Sequence, residues 1–152
     1  MIRKYKDRII RETEQENNDQ TKAVNHVISH FADVSTIYIL GGTGEREDHT
    51  IGNLSLLMEY ARKYGDSPHI EMVSDYSTAF ALTDSCEIKC GEGRKFSLFS
   101  PDNSLRIKSE GLHWPTDDVI FDNWWKATLN RADEDTVRLT FSHKSVALVI
   151  MD

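Results

Sequence analysis

VSTIYILGGTGEREDHTIGN, residues 34–53, is the stretch on which the fold turns. Its opening, Val34 to Leu40, is rich in β-branched and aromatic side chains and breaks off at Gly41-Gly42, the texture of a strand buried on both faces in a parallel sheet. A polar, glycine-rich loop follows. From Asp48 to Tyr64 the apolar residues Ile51, Leu54, Leu57, Met58 and Ala61 recur at helical spacing, with Asp48 also suited to cap the first turn and Gly65 to stop the last. Upstream, Val24, Val27, Ile28 and Phe31 share one face of a helix predicted from Thr21 to Phe31, with Asp19 as its N-cap. Helix, strand, loop and helix in that order belong to an α/β domain. A doubly wound sheet needs several βα units, and the residues before Asp66 supply about one and a half, so the sheet is expected to be incomplete.

Beyond Gly65 the pattern shortens to alternating runs. Strands are predicted from Ile70 to Val73, Ser77 to Leu82, Cys86 to Cys90, Lys95 to Phe99, Ser104 to Lys108, Trp124 to Thr128, Val137 to Phe141 and Val146 to Met151. Gly91-Glu92-Gly93, Pro101-Asp102-Asn103 and Asp133-Glu134-Asp135 punctuate them, and the short links imply antiparallel pairing. The expected fold class is α/β followed by all-β: an incomplete doubly wound parallel-sheet domain over residues 1–66, then a C-terminal antiparallel β-sandwich, jelly-roll-like, over residues 67–152. No repeat and no Pro/Ser-rich linker marks the boundary near Asp66, which rests on the change of pattern.

Composition narrows the function classes. Apolar residues at 39% and charged residues at 28% suit a globular protein, and no apolar run is long enough to span a bilayer. Arg3, Lys4, Lys6 and Arg8 precede no apolar core of secretory-signal length, so the cytosol is the expected compartment. A net charge of −7 opposes non-specific nucleic-acid binding, and an anionic ligand needs a local positive site. Cys86 and Cys90, on one strand, would lie about 13 Å apart, beyond disulfide reach. With no second pair and no histidine at a metal-like interval, they read as free thiols, buried or half-buried.

Two constellations can carry chemistry. Gln15-Glu16-Asn17-Asn18-Asp19-Gln20-Thr21-Lys22 surrounds a helix start, where free N–H groups favour an anion, Lys22 adds a point charge and Asp19 offers oxygen to Mg²⁺; the same residues also make a plain helix cap. The loop Gly41 to His49, followed by Asn53, lets backbone approach a ligand and presents the planar fork of Arg46 to phosphate. It is neither a Walker A loop nor a full G-x-G-x-x-G, since Glu47 stands where the third glycine would. It can equally be a strand-to-helix turn, although ligands of α/β sheets bind at such strand ends. His49 also reads as a helix-start residue. The other histidines show no partner pattern and no nucleophilic triad is evident. Trp124 and Trp125 would point oppositely on a strand; core packing is expected of either, with stacking on an aromatic ligand the alternative.

Taken together, Asn18-Asp19-Gln20-Thr21-Lys22, the strand ending Leu40-Gly41-Gly42-Thr43-Gly44-Glu45-Arg46-Glu47-Asp48-His49, and Asn53-Leu54 resemble the thiamine pyrophosphokinase family in order and spacing. Gly111-Leu112-His113-Trp114-Pro115 looks like that family's Gly-Leu-Lys-Trp/Tyr segment, and Thr128-Leu129-Asn130 is similar to its Ser-Asn segment. The resemblance implies transfer of pyrophosphate from ATP to thiamine with Mg²⁺, giving thiamine diphosphate and AMP. It makes residues 1–66 the C-terminal part of an ATP-binding catalytic domain and residues 67–152 a thiamine-binding sandwich, in a homodimer with a composite active site. By the same resemblance Asp19, Lys22, Arg46 and Asp48 are catalytic, Asp19 holding the metal, Lys22 and Arg46 engaging phosphate, and Asp48 orienting or hydrogen-bonding thiamine. Gln15, Asn18, Thr21, Gly42, Thr43, Gly44, His49, Asn53, Trp125, Thr128 and Asn130 are implied to bind substrate or nucleotide, Gln15 near the nucleotide and Asn130 on the thiamine ring. Two departures stand out. Leu129 occupies the place of a serine, and the family's upstream Asp-x-Asp-Ser motif, which supplies most of its Mg²⁺ site, is missing. The chain is therefore expected to be a fragment of a longer protein, with Met1 to Tyr5 reading as the middle of a helix; the alternative is a degenerate, non-catalytic thiamine-binding or regulatory protein.

Overall fold

The computed structural model describes residues 9–11 and 13–152; the helical reading of Met1 to Tyr5 lies outside them. By compactness the chain divides into residues 1–33 and residues 34–152. The first unit contains α1, Asp19–His30. Its N-cap is Asn18, not Asp19: the Asn18 carboxamide oxygen accepts the Thr21 N–H at 2.9 Å, satisfying one of the helix's unpaired donors. Asp19 becomes the first helical residue, where its charge complements the positive end of the helix. On the expected apolar face Val24 is buried, while Phe31 is the exposed C-cap.

The second unit begins with β1 (Thr36–Leu40), α2 (Glu47–Tyr64) and β2 (His69–Val73). β1 and β2 pair in parallel, Thr36 opposite His69 through Leu40 opposite Val73, so these three elements are a βαβ unit. This corrects the expectation that every strand after Gly65 pairs antiparallel. Short links enforce antiparallel pairing only from β2 onward, whereas α2 is long enough to carry the chain back to the start of β1. β3 (Thr78–Leu82), β4 (Cys86–Lys89), β5 (Lys95–Phe99), β6 (Ile107–Glu110), β7 (Ala127–Arg131), β8 (Thr136–Phe141) and β9 (Ala147–Met151) complete the unit. They form a six-stranded sheet in the order β1-β2-β3-β9-β5-β7 and a three-stranded sheet β4-β8-β6. The larger sheet runs unbroken across the pattern change near Asp66.

Phe80, Ile88, Phe96, Leu98, Ile107, Val137, Leu139, Phe141 and Val149 build one core from strands of both sheets, the alternation that a sandwich requires. β9 is buried on both faces: Ala147 and Val149 enter that core and Leu148 lies on the opposite face, where α2 packs over β2, β3 and β9. Leu57, Met58, Tyr60 and Ala61 of α2 are buried, but Ile51, one turn from its start, is exposed.

Three other expectations need correction. β1 is not covered on both faces, since Tyr38 is 63% and Leu40 74% exposed; it ends the strand order among the described residues. The strand predicted from Ser104 starts at Ile107, because Asp102 takes the Ser104 N–H and hydroxyl and holds that stretch in a turn. The strand predicted from Trp124 starts at Ala127, because Lys126 N–H closes on Asn123 O and Thr128 N–H on Trp125 O. Both tryptophans are thereby held off the strand and exposed rather than packed in the core; Trp124 rests on Phe99, ring centroids 5.0 Å apart.

Candidate functional site

The glycine-rich loop joins the carboxyl end of β1 to the amino end of α2. Gly41 and Gly44 have φ of 72° and 105°, values that side chains oppose. Asn53, in the second turn of α2, donates to the Gly42 carbonyl at 2.9 Å and ties the loop to its helix. Around Gly41, Gly42, Thr43, Glu45, Arg46, His49, Thr50 and Asn53 lies an open hollow of about 190 Å³. The loop thus brings Gly42, Thr43, Arg46, His49 and Asn53 around one hollow, with Gly44 between them in the chain.

Arg46, not Asp48, holds the N-cap position, and no side chain caps the helix there. Asp48 lies in the first turn and accepts three hydrogen bonds: Arg46 Nε at 3.1 Å and His49 N–H at 2.9 Å on Oδ1, and Arg46 Nη2 at 2.5 Å on Oδ2. The Arg46 guanidinium, then the His49 N–H, holds the Asp48 carboxyl below its ordinary range. A guanidinium has five N–H donors, so this side-on fork leaves the Nη1 hydrogens free of Asp48 while fixing their plane.

In the first unit, Asp19 Oδ1 is 4.0 Å from Lys22 Nζ; Asp19 is fully exposed, whereas Lys22 is mostly covered. Both line an open hollow of about 640 Å³ with Ile9, Ile10, Arg11, Ala23, His26 and Val27. Thr21 gives its N–H to the Asn18 cap, and the Gln15 amide donates to the Thr13 and Glu14 carbonyls. Among the described residues no three His, Cys, Asp or Glu side chains converge as a metal site.

A third hollow, about 200 Å³, opens between the Trp114-Pro115 segment and β7, lined by Trp114, Pro115, Thr116, Val119, Lys126, Ala127, Thr128, Leu129 and Asn130. Thr128 and Asn130 line it; Trp125 is not among its walls. Asn130 is buried, and its amide is occupied: Oδ1 accepts the Trp114 N–H at 3.1 Å and the Arg131 N–H at 2.9 Å, and Nδ2 donates to the Trp114 carbonyl at 2.6 Å. It clamps the backbone of a residue that forms the wall.

Sequence reasoning missed the histidine partners. His69 meets Glu71 at 2.8 Å, His113 meets Asp133 at 2.8 Å beside Arg131, and His143 meets Asp102 at 3.0 Å. His143 Nδ1 also lies 3.0 Å from Ser142 Oγ. Asp102 binds Ser104 and Ser145 besides, so it ties the turn after β5 to the turn after β8. The last two pairs span 20 and 41 residues, and no local spacing announces them. Cys86 and Cys90 are free thiols, as expected; burial, then the Asp66 charge, pushes Cys86 up to about 11, leaving it protonated and a poor nucleophile. Among the described residues no helix is long and apolar enough to cross a membrane.

Comparison with known proteins assigns the chain. The thiamin pyrophosphokinase catalytic-domain model matches residues 1–67 and the thiamin pyrophosphokinase substrate-binding-domain model residues 79–149. No curated protein matches in sequence. Thiamine pyrophosphokinase from Bacillus subtilis superposes with a TM-score of 0.76 at 18% identity, over 92% of this chain and 64% of that one. The yeast thiamin pyrophosphokinase gives 0.70 at 17%, over 99% and 64%, and a Lactobacillus plantarum protein 0.80 at 16%, over 95% and 70%. At these identities the likeness is one of fold, and the chain spans 64% of the length of the Bacillus enzyme. With catalytic and substrate-binding domains matched in order along nearly its whole length, the chain belongs to the thiamin pyrophosphokinase family.

Proposed function

We propose that the protein transfers the pyrophosphoryl group of ATP to thiamine, giving thiamine diphosphate and AMP. What carries this reading is the succession, in one chain, of a catalytic-domain and a substrate-binding-domain match. In the reaction the hydroxyethyl oxygen of thiamine attacks the β-phosphorus, the bond from that phosphorus to the α–β bridging oxygen breaks, and AMP departs with its electrons while the hydroxyl proton is lost to water. Such a transfer needs positioning and charge stabilisation more than covalent participation by the protein.

The glycine-rich hollow takes the phosphate side of this reaction. It sits at a strand's carboxyl end and a helix's amino end, where backbone N–H groups favour anions. Arg46, its plane held by Asp48, directs Nη1 hydrogens to a phosphate oxygen; in the first unit Lys22 offers a point charge of its own. Asp48 is thereby an orienting residue. The hollow beside Trp114 takes thiamine, with Thr128 on its wall. Residues 1–66 then serve ATP and residues 67–152 thiamine, in a homodimer whose active site is composite and whose compartment is the cytoplasm. Mg²⁺, when bound, would neutralise phosphate charge; Asp19 could give it one oxygen, and among the described residues no three His, Cys, Asp or Glu side chains converge as a metal site, so no step is assigned to the metal.

A thiamine-binding protein without turnover is the second reading. The mutual pairing of Arg46 and Asp48 favours it. Incubation with ATP, Mg²⁺ and thiamine, with chromatography of thiamine diphosphate and AMP, separates the two when calorimetric thiamine titration is run alongside. Product formation supports the kinase, binding without product supports the second reading, and neither refutes both. If Asp48 orients Arg46, Asp48→Asn lowers turnover at least tenfold while leaving thiamine affinity within about twofold; unchanged turnover removes that role.

A further inference from the structure

The Thr128-Leu129 pair carries an irregularity that the fold does not require. Phe96 pairs with Asn130 and Leu98 with Ala127, so Ser97 alone faces both Thr128 and Leu129: β7 bulges. The Leu129 N–H donates to Ser97 Oγ at 3.1 Å and fixes the bulge. Leu129 is the one non-glycine residue among those described with positive φ, at 61°. Branched L side chains seldom hold that conformation, and glycine or asparagine would make the same bulge without strain. Nor does packing compensate, because Leu129 is 85% exposed.

The side chain stands on the wall of the 200 Å³ hollow. Two polar groups of that wall are already committed inward: the Asn130 amide holds the Trp114 backbone, and Thr116 Oγ1 donates to the Ile107 carbonyl at 2.7 Å. Trp114, Pro115, Val119, Ala127 and Leu129 give the wall its apolar part, beside Lys126 and Thr128. Bulges beside binding sites re-aim side chains, and a strained, exposed residue at such a place points to use by a ligand rather than by the fold.

We propose that Leu129 is a specificity-determining residue of this hollow, its isobutyl group forming the apolar rim against which a ring of the acceptor substrate packs. The proposal rests on the reading that this hollow receives thiamine. Three variants test it by calorimetric titration with thiamine and by thermal melting: Leu129→Gly, Leu129→Asn and Leu129→Met. Glycine and asparagine relieve the backbone, so both variants melt at or above the parent's temperature while thiamine affinity falls about fivefold, the worth of covering roughly half a leucine side chain. Methionine restores affinity to within about twofold of the parent's. Parental affinity in Leu129→Gly overturns the role of Leu129 and leaves the thiamine reading standing. A fall in melting temperature together with affinity, unrescued by methionine, makes Leu129 structural and overturns it too. Absence of thiamine binding by the parent removes both readings at once.

Discussion

Exchanging the Asn130 amide nitrogen for oxygen tests how the hollow beside Trp114 is held. Asn130 is 6% exposed and contributes both an acceptor and a donor to the Trp114 backbone. Asn130→Asp keeps the acceptor, which still faces the Trp114 and Arg131 N–H groups, but sets a carboxylate oxygen against the Trp114 carbonyl where an N–H now donates. Losing that bond and leaving the carbonyl unmatched costs about 1–3 kcal/mol, and burying the charge adds to it, so about 3 kcal/mol is expected at neutral pH. For a unit of this size that is a fall of about 10 °C in melting temperature. Protonation returns a donor to the carbonyl, so the new carboxyl titrates above its unfolded value in the folded protein. The favourable interaction is then full below the unfolded value of about 4 and is lost as pH rises through the raised folded value. Urea denaturation between pH 4 and 8, with Asn130→Ala as a non-titrating control, reads this directly. The stability gap of Asn130→Asp from the parent should narrow toward acid while that of Asn130→Ala stays level; a gap independent of pH, or one widening toward acid, refutes the clamp.

Gly111→Ala should be among the most damaging single substitutions: φ is 84° and a Cβ would stand 2.6 Å from the Thr136 carbonyl oxygen, a backbone atom that cannot rotate away, so a loss of about 3 kcal/mol in urea denaturation is expected. Asn18→Ala removes the cap of α1 and should cost about 1 kcal/mol, seen as faster amide exchange in the first turn, whereas Asp19→Ala leaves that exchange nearly unchanged. Hydrogen bonds from Ser104, then Ser145 and His143, hold the Asp102 carboxyl well below the usual carboxylate range. Its folded value being depressed, this stabilisation is present above about pH 4 and is lost as pH falls through the folded value. Asp102→Asn should therefore lose about 1–2 kcal/mol at neutral pH and show a flatter decline in stability under acid than the parent.

What the sequence made legible is what neighbouring residues decide among themselves. The β1-loop-α2 passage was readable because a glycine pair ends a β-branched run and a helical period resumes at once. The cap of α1 was missed by one residue because Asn18 and Asp19 are both good capping types, and only the extended backbone at Asn18 chooses between them. Trp124 and Trp125 have strand propensity, but two turn hydrogen bonds override it. Arg46 and Asp48 were both identified as site candidates, yet their being each other's partner depends on rotamers that spacing does not specify. The hollow beside Trp114 was least legible, for a physical reason. Trp114 and Asn130 are 16 residues apart and meet only through the register of β5, β7 and the segment after Gly111. A bulge in that same register gives Leu129 its positive φ. Family resemblance marks Leu129 as an unexpected residue type; only backbone geometry shows that its side chain is held outward at an energetic cost, and that cost is what makes its chemistry worth testing.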